Sequence, residues 1–408
     1  MIPRVAVTML RAWPAVGGAE LHTREVLRRM ASEFDVRVWC LHRGQGADWV
    51  RDGLLEPPAP AVPAGEDAPP VGYVPLHERD RRTLRRLHSV PLLRRFLFFR
   101  EAGRRLVRRL VPILAGARLV HNIHLGAEYF SVAVARAAER LGLPFVFTPL
   151  LHFDRTLTPG LAYLLRRSAA VVSLTRIERD RLIEMGAPPD RVHVGTIGPM
   201  AGEPPGGVPP TPPDPPRILF LGRKSAEKGC LLLLGAAPRV WATRPDAQFV
   251  FAGPETPESE AAFRGGTDPR IVRLGPVPDA ERDRLLAEAT AVCLPSRSES
   301  FGGSLLDGWQ WGRPIIAGDI PCSREIVTEG EDGFLVPVSA YSAGPHSASS
   351  ASVLADRILA VLASPERARA MGEAGRRKVL ARHTWEIAAA RLAEAYRAAA
   401  SRCGRPAP

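Results

Sequence analysis

RILFLGRKSAEKGCLLLLGAAPRVW (Arg217–Trp241) is the stretch on which the fold turns. An apolar run of strand length ends at Gly222, a charged loop follows, and a leucine-rich segment of helical length closes it. Downstream the rhythm repeats through AQFVFAG, RIVRLG, ERDRLLAEA, AVCLP, SLLDGWQW and PIIAG. Short strands alternating with helices over short connections predict a parallel sheet covered by helices. Upstream stands GEPPGGVPPTPPDPP (Gly202–Pro216), mostly Pro and Gly, which predicts a semi-rigid linker. Before the linker the alternation is present again: RVAVTML (Arg4–Leu10), AELHTREVLRRM (Ala19–Met30), DVRVWCL (Asp35–Leu41), ARLVHNI, SVAVARAAERLG, PFVFTPLL and AAVVSLT (Ala169–Thr175). The chain therefore reads as two α/β domains, 1–201 and 217–384, joined by the linker 202–216. A helix at 385–400 and a disordered tail at 401–408 follow. SAYSAGPHSASSAS (Ser339–Ser352) predicts a surface loop.

Length and composition fit this division. The 408 residues are 45% hydrophobic and 24% charged, ample for two buried cores. No apolar run reaches the roughly 18–20 residues that span a bilayer. The N-terminus reads as a first strand and loop and not as a signal peptide. Cys40, Cys230, Cys293, Cys322 and Cys403 are scattered and form no CxxC, which argues against a disulfide framework or a zinc site and predicts a reducing cytoplasm. The net charge of +12 is concentrated: Leu76–Val120 holds thirteen arginines and three acids. That patch predicts an anionic partner for one surface.

Two loops carry the chemistry. In FLGRKSAEKG (Phe220–Gly229) Arg223 follows the glycine that ends a strand, and Lys228 stands just before the next helix. Ligand sites of open parallel sheets lie at the carboxyl ends of strands. In PSRSESFGGSLLDGWQWGRP (Pro295–Pro314) a strand runs into consecutive glycines and then a helix. There Gly302, Gly303 and Ser304 would offer backbone N–H groups to an anion. Glu299 precedes them and Asp307 lies eight residues further on, a spacing that lets two acids flank a nucleotide sugar. The competing readings are solvated loop charges at the first site and a Ser300 or Ser304 helix cap at the second. Cations and aligned amides together answer the problem of a departing diphosphate. The sequence has no Asp-x-Asp, so no metal and no cofactor is expected beyond a nucleoside-diphosphate sugar as donor substrate.

The two strings together, extended by IIAGDIPCSREIVTEGEDGFLVP, resemble the C-terminal domain of the retaining family 4 glycosyltransferases. GGAELHTREVLRRM, GAPPDRVHVGTIGPM and HTWEIAAARLAEAY extend the resemblance over nearly the whole chain. It implies an α/β GT-B fold, two Rossmann-like domains whose parallel sheets face a central cleft, with residues 385–400 returning towards the N-terminal domain. It also implies transfer of a sugar to an acceptor hydroxyl of a saccharide, lipid or natural product. Arg223 and Lys228 match the diphosphate-binding pair, and Glu299 the first acid of Glu-x7-Glu, which contacts the donor sugar. Asp307 stands at the second acid, which usually bonds ribose, and is one methylene shorter. Phe301 lies in the same donor loop. Gly17 and Gly18 match the N-terminal loop near diphosphate and acceptor, and His152 the histidine facing the reacting sugar. The usual Asn-Gly near the domain junction is replaced by TIGPM. His121, His124 and Asp154 have no such match, and His121 and His124 read first as structural.

SVPLLRRFLFFREAGRRLVRRLVPIL (Ser89–Leu114) places Leu92, Phe96, Phe99, Gly103, Leu106, Leu110 and Leu114 at spacings of three and four. This is one apolar stripe with arginines opposite. It predicts a helix packed on the N-terminal domain, with peripheral contact of the Arg-rich segment 79–118 to the inner membrane face as the second reading. No nucleic-acid motif accompanies it. Two rivals to glycosyl transfer remain open. One is another GT-B enzyme, an epimerase or phosphorylase, and the other is a decayed nucleotide-sugar-binding protein. A dinucleotide oxidoreductase is disfavoured because neither half has G-x-G-x-x-G after a strand.

Overall fold

The computed structural model describes residues 2–13, 17–42, 48–57, 68–124, 126–153, 156–207, 209–212, 214–264, 268–339 and 348–403, without the side chains of 95, 96 and 348. It divides into two compact units: Met1–Leu151, Thr156–Thr196 and Trp385–Pro408 form the first, and His152–Arg155 with Ile197–Thr384 form the second.

The first unit is built on seven strands: β1 (Arg4–Met9), β2 (Asp35–Cys40), β3 (Val71–Tyr73), β4 (Leu119–Ile123), β5 (Phe145–Thr148), β6 (Ala170–Ser173) and β7 (Val192–Val194). They pair in the order β3-β2-β1-β4-β5-β6-β7, every pair parallel. Strands such as β4 are buried along their whole length because helices cover both faces of the sheet. One cover is the helix Phe99–Leu114 against Glu128–Arg140. Another is the C-terminal helix Trp385–Arg402, which lies on Gly18–Arg29 and on β5, β6 and β7. Its Tyr396 is fully buried, and its hydroxyl lies 2.8 Å from Nδ1 of His121.

The expected stripe at 92–114 is only partly realised. Leu106, Leu110 and Leu114 are buried as expected, together with Ala102 and Val107. Leu92 and Phe99 are exposed, while Phe98 is buried. The cause is a π-helical turn at Arg94–Phe98, which inserts extra backbone per turn and shifts the inward face by one residue. The Phe96 side chain lies outside the described ones.

The second unit has six strands: β8 (Arg217–Leu221), β9 (Gln248–Ala252), β10 (Ile271–Leu274), β11 (Ala291–Leu294), β12 (Ile315–Gly318) and β13 (Gly333–Val336). Their order is β10-β9-β8-β11-β12-β13, again all parallel. The stretch 202–216 is not a free spacer. Gly202 N–H donates to Asp283, and the Pro210 carbonyl accepts from the buried Arg313 guanidinium. The first unit ends at Thr196, ahead of the expected 201, because Met200 and Ala201 are tied into the second unit. Of the expected loop 339–352, residues 348–352 open the helix Ala348–Leu362, and 340–347 lie outside the described residues. In the expected disordered tail, Ser401 and Arg402 complete the last helix, and 404–408 are outside the described residues.

Candidate functional site

The strand order of the second unit reverses between β8 and β11: the chain goes one way through β9 and β10 and the other way through β12 and β13. Loops leaving two such neighbouring strands diverge to opposite faces of the sheet and open a crevice at the carboxyl ends. The loop after β8 is Gly222–Gly229, and the loop after β11 is Pro295–Gly302. These are the two strings singled out from the sequence.

They are bound to one another along the backbone. The Arg297 N–H donates to the Glu227 carbonyl at 2.8 Å. Gly229 adopts φ +78°, and a Cβ there would stand 2.2 Å from the Pro295 carbonyl oxygen. Both demands require glycine. Gly229→Ala should therefore lower stability by about 2 kcal/mol or more through strain and displacement of Pro295, read as a drop in Tm.

On this frame Lys228 Nζ lies 2.7 Å from Glu299 Oε2, with both side chains largely buried. The Ser296 hydroxyl donates to the other oxygen of Glu299 at 2.9 Å. Glu299 is thus fixed from two sides. Arg223, two residues past the end of β8, is exposed and makes no ion pair among the described residues. Nδ1 of His152 is 2.9 Å from the Ser298 hydroxyl and 4.0 Å from a Glu227 carboxylate oxygen. His152 sits with the second unit although its sequence neighbours on β5 belong to the first. Asp154, its neighbour, lies outside the described residues.

After Glu299 the chain buries Phe301 edge-on against His383, with ring centres 5.6 Å apart. Gly302 then turns through φ +92° to start the helix Gly303–Gln310, with no side chain capping it. The cap is therefore neither Ser300 nor Ser304. The N–H groups of Gly303 and Ser304 have no acceptor within the helix and carry the positive end of its dipole.

Asp307 differs from these. It is 3% exposed, and one carboxylate oxygen accepts the N–H of Met200 at 2.6 Å and of Ala201 at 2.9 Å. Burial pushes its pKa up to about 6 in spite of those amides and Arg282. The folded chain holds this proton more tightly than the unfolded chain does. The stability it contributes is complete below the unfolded carboxylate value and is lost as pH rises through about 6. Asp307→Asn keeps an acceptor and removes the charge, so its stability relative to the native chain should grow between about pH 4 and 6, by up to about 3 kcal/mol. Asp307→Ala orphans two amides and should cost about 2 kcal/mol below about pH 4, a deficit that shrinks as pH rises through about 6 and the native carboxyl ionises. Denaturant melts across that pH range check both.

Gly17 and Gly18 belong to the first unit, where Gly17 precedes the helix Gly18–Arg29. A Cβ on Gly17 would collide with the buried Glu20 carboxylate, which pairs with Arg11. His121 is enclosed by Tyr396 and Thr148, and burial holds its pKa down near 3, so it is a neutral structural residue. His124 lies 3.0 Å from the Ser131 hydroxyl.

Sequence reasoning missed Ser296, Ser298 and Glu227, which hold the named residues in place. The alternating PSRSES string was the available signal. It also missed Lys224, fully buried, whose Nζ reaches the Gly253 carbonyl at 2.9 Å and Glu255 at 2.7 Å and braces the β8 loop.

Comparison with known proteins adds to this geometry. A family model described as "Glycosyl transferases group 1" matches residues 215–363, and one described as "Glycosyl transferase 4-like domain" matches 17–198. A phosphatidyl-myo-inositol mannosyltransferase of Mycobacterium tuberculosis is 32% identical over 184 residues, 44% of this chain and 46% of that protein. An alpha-D-kanosaminyltransferase of Streptomyces kanamyceticus is 29% identical over 188 residues, 45% of this chain and 46% of that protein. The matched part spans about half the length of these curated relatives. Among solved structures, sucrose-phosphate synthase of Thermosynechococcus elongatus superposes with TM-score 0.71 at 18% identity, covering 97% of this chain and 98% of that one. Anabaena HepE in complex with UDP gives TM-score 0.69 at 16% identity, covering 96% and 98%. These two likenesses speak for the fold alone.

Proposed function

The chain belongs to the family 4 glycosyltransferases of GT-B type, and from that membership we propose that it transfers a sugar from a nucleoside-diphosphate sugar to an acceptor hydroxyl with retention at the anomeric carbon. The observation that carries this reading is the contact of Lys228 with Glu299 at the strand-order reversal of the second unit.

A donor diphosphate in this crevice would meet the unpaired Arg223 guanidinium, Lys228 and the amides at Gly302, Gly303 and Ser304. Lys228 is already half neutralised by Glu299, so Arg223 and the helix dipole supply the uncompensated positive charge. As the bond from the anomeric carbon to phosphate oxygen breaks, the electron pair moves onto the diphosphate and these groups stabilise it. The acceptor oxygen bonds to the same face of the anomeric carbon and its proton passes to a phosphate oxygen. Glu299, fixed by Lys228 and Ser296, accepts from the sugar hydroxyls. His152, steadied at Nδ1 by Ser298, presents its other ring edge to the sugar. Asp307, whose oxygen is engaged by two amides, contributes to donor binding by holding Met200 and Ala201.

The test is a screen of nucleotide sugars for released nucleoside diphosphate with a panel of hydroxyl acceptors. One donor should be consumed, giving the diphosphate and a glycoside of unchanged anomeric configuration. A strict requirement for inorganic phosphate would instead indicate a phosphorylase, and interconversion of the donor sugar an epimerase. Absence of nucleoside-diphosphate binding at millimolar ligand in calorimetry would indicate a decayed site. Charge stabilisation by protein groups predicts that EDTA leaves turnover unchanged, and loss of activity restored by a divalent cation would overturn that part.

A further inference from the structure

Four of the eight exposed large apolar side chains among the described residues fall within ten positions: Val90, Leu92, Leu97 and Phe99. Leu92 is 66% exposed. None of them is needed to close the first unit's core, since the inward face of the same helix is filled by Ala102, Leu106, Val107, Leu110 and Leu114. Leu92 and Leu97 stand five residues apart on either side of the start of the π turn at Arg94–Phe98, and both are exposed. From Leu97 the spacings of three, four and four put Arg100, Arg104 and Arg108 along one line of the following helix.

The charges of this segment sort by face. Asp80, buried, takes Arg105 and Arg109; Glu101 takes Arg105; Glu78 takes Arg85. Arg79, Arg82, Arg86, Arg94, Arg100 and Arg108 are exposed and make no side-chain ion pair among the described residues. The three acids are taken up by Arg85, Arg104, Arg105 and Arg109, and the six outward arginines just named remain uncompensated among the described residues. Exposed leucines flanked by outward arginines, Arg94, Arg100 and Arg108 among them without an ion pair, match an anionic bilayer, whose interface takes apolar side chains below the phosphates and cations at them. A phosphate backbone of nucleic acid would match the arginines but leave the leucines in water.

We propose that the segment 79–108 docks the chain on an anionic membrane surface, with Leu92 and Leu97 entering the boundary between headgroups and acyl chains and the outward arginines contacting lipid phosphates. This does not depend on the sugar chemistry. The full-length chain should sediment with phosphatidylglycerol-containing vesicles and not with pure phosphatidylcholine vesicles. Leu92→Ser with Leu97→Ser should weaken binding at least about tenfold, because apolar area leaves the interface. Arg100→Gln with Arg108→Gln should weaken it about twentyfold, by loss of two surface charges. Both pairs are exposed, so melting and donor turnover on a soluble acceptor should stay at the native level. Failure of the native chain to bind phosphatidylglycerol vesicles, or equal binding by the leucine pair, overturns the proposal. So does a native dimer that the leucine pair converts to monomer without any vesicle binding, which would assign the face to a second copy. Tighter binding of single-stranded RNA than of vesicles would likewise overturn it.

Discussion

Glu299→Ala is expected to lower turnover roughly a hundred- to a thousandfold while leaving the donor KM unchanged or lower. The split follows from the two contacts of the carboxylate. Removing it deletes the acceptor that orients the sugar, which is felt at the transition state. It also releases Lys228, held at 2.7 Å in the native site, to bind the diphosphate of the ground state more strongly. Steady-state release of nucleoside diphosphate gives kcat and KM, and calorimetry with the free diphosphate gives the affinity, which should rise. Near-normal turnover would defeat the assignment of Glu299. Reduced turnover with reduced diphosphate affinity would show that the residue merely shapes the loop.

Lys228→Ala should also lower turnover by about two to three orders of magnitude, but here diphosphate affinity should fall with it. Its loss removes a cation from the leaving group and leaves the Glu299 carboxylate uncompensated in a partly buried place, where it repels the same diphosphate. Because the two side chains act as a unit, the double variant Lys228→Ala/Glu299→Ala should be little worse than the poorer single one. A strictly multiplicative loss would mean that the two residues work separately, and unchanged diphosphate affinity in Lys228→Ala would remove it from the leaving-group site.

The architecture was legible because short buried strands advertise themselves. β8 and β11 are apolar runs followed at once by glycine or proline, and the helices after them begin where the apolar period changes. The meeting of Lys228 with Glu299 is of another kind. It depends on β8 and β11 being neighbours in the sheet, a pairing between distant segments that no local pattern encodes. It could be anticipated only from the resemblance of the two strings taken together. Asp307 was hidden for a related reason: its partners are main-chain amides at Met200 and Ala201, and a backbone N–H leaves no trace in residue identity. The stripe at 92–114 was misjudged at its first turns because a three-and-four rule assumes an unbroken α-helix, and the π turn at Arg94–Phe98 puts those turns out of phase with Leu106, Leu110 and Leu114. That displacement is what puts leucines on the surface beside the arginines.

The placement of Tyr396 has a consequence for how the chain matures. His121 has Tyr396 on one ring nitrogen and Thr148 on the other, and Phe34 meets the tyrosine ring edge-on at 5.5 Å. The first unit thus receives its final wall from Trp385–Arg402, a segment translated only after residues 197–384. Throughout translation of residues 197–384 that wall is missing, and a nascent N-terminal half would keep an uncovered sheet face in need of shelter. A fragment cut at residue 196 inherits this condition permanently, and joining Trp385–Arg402 back through a short spacer is what would make it whole.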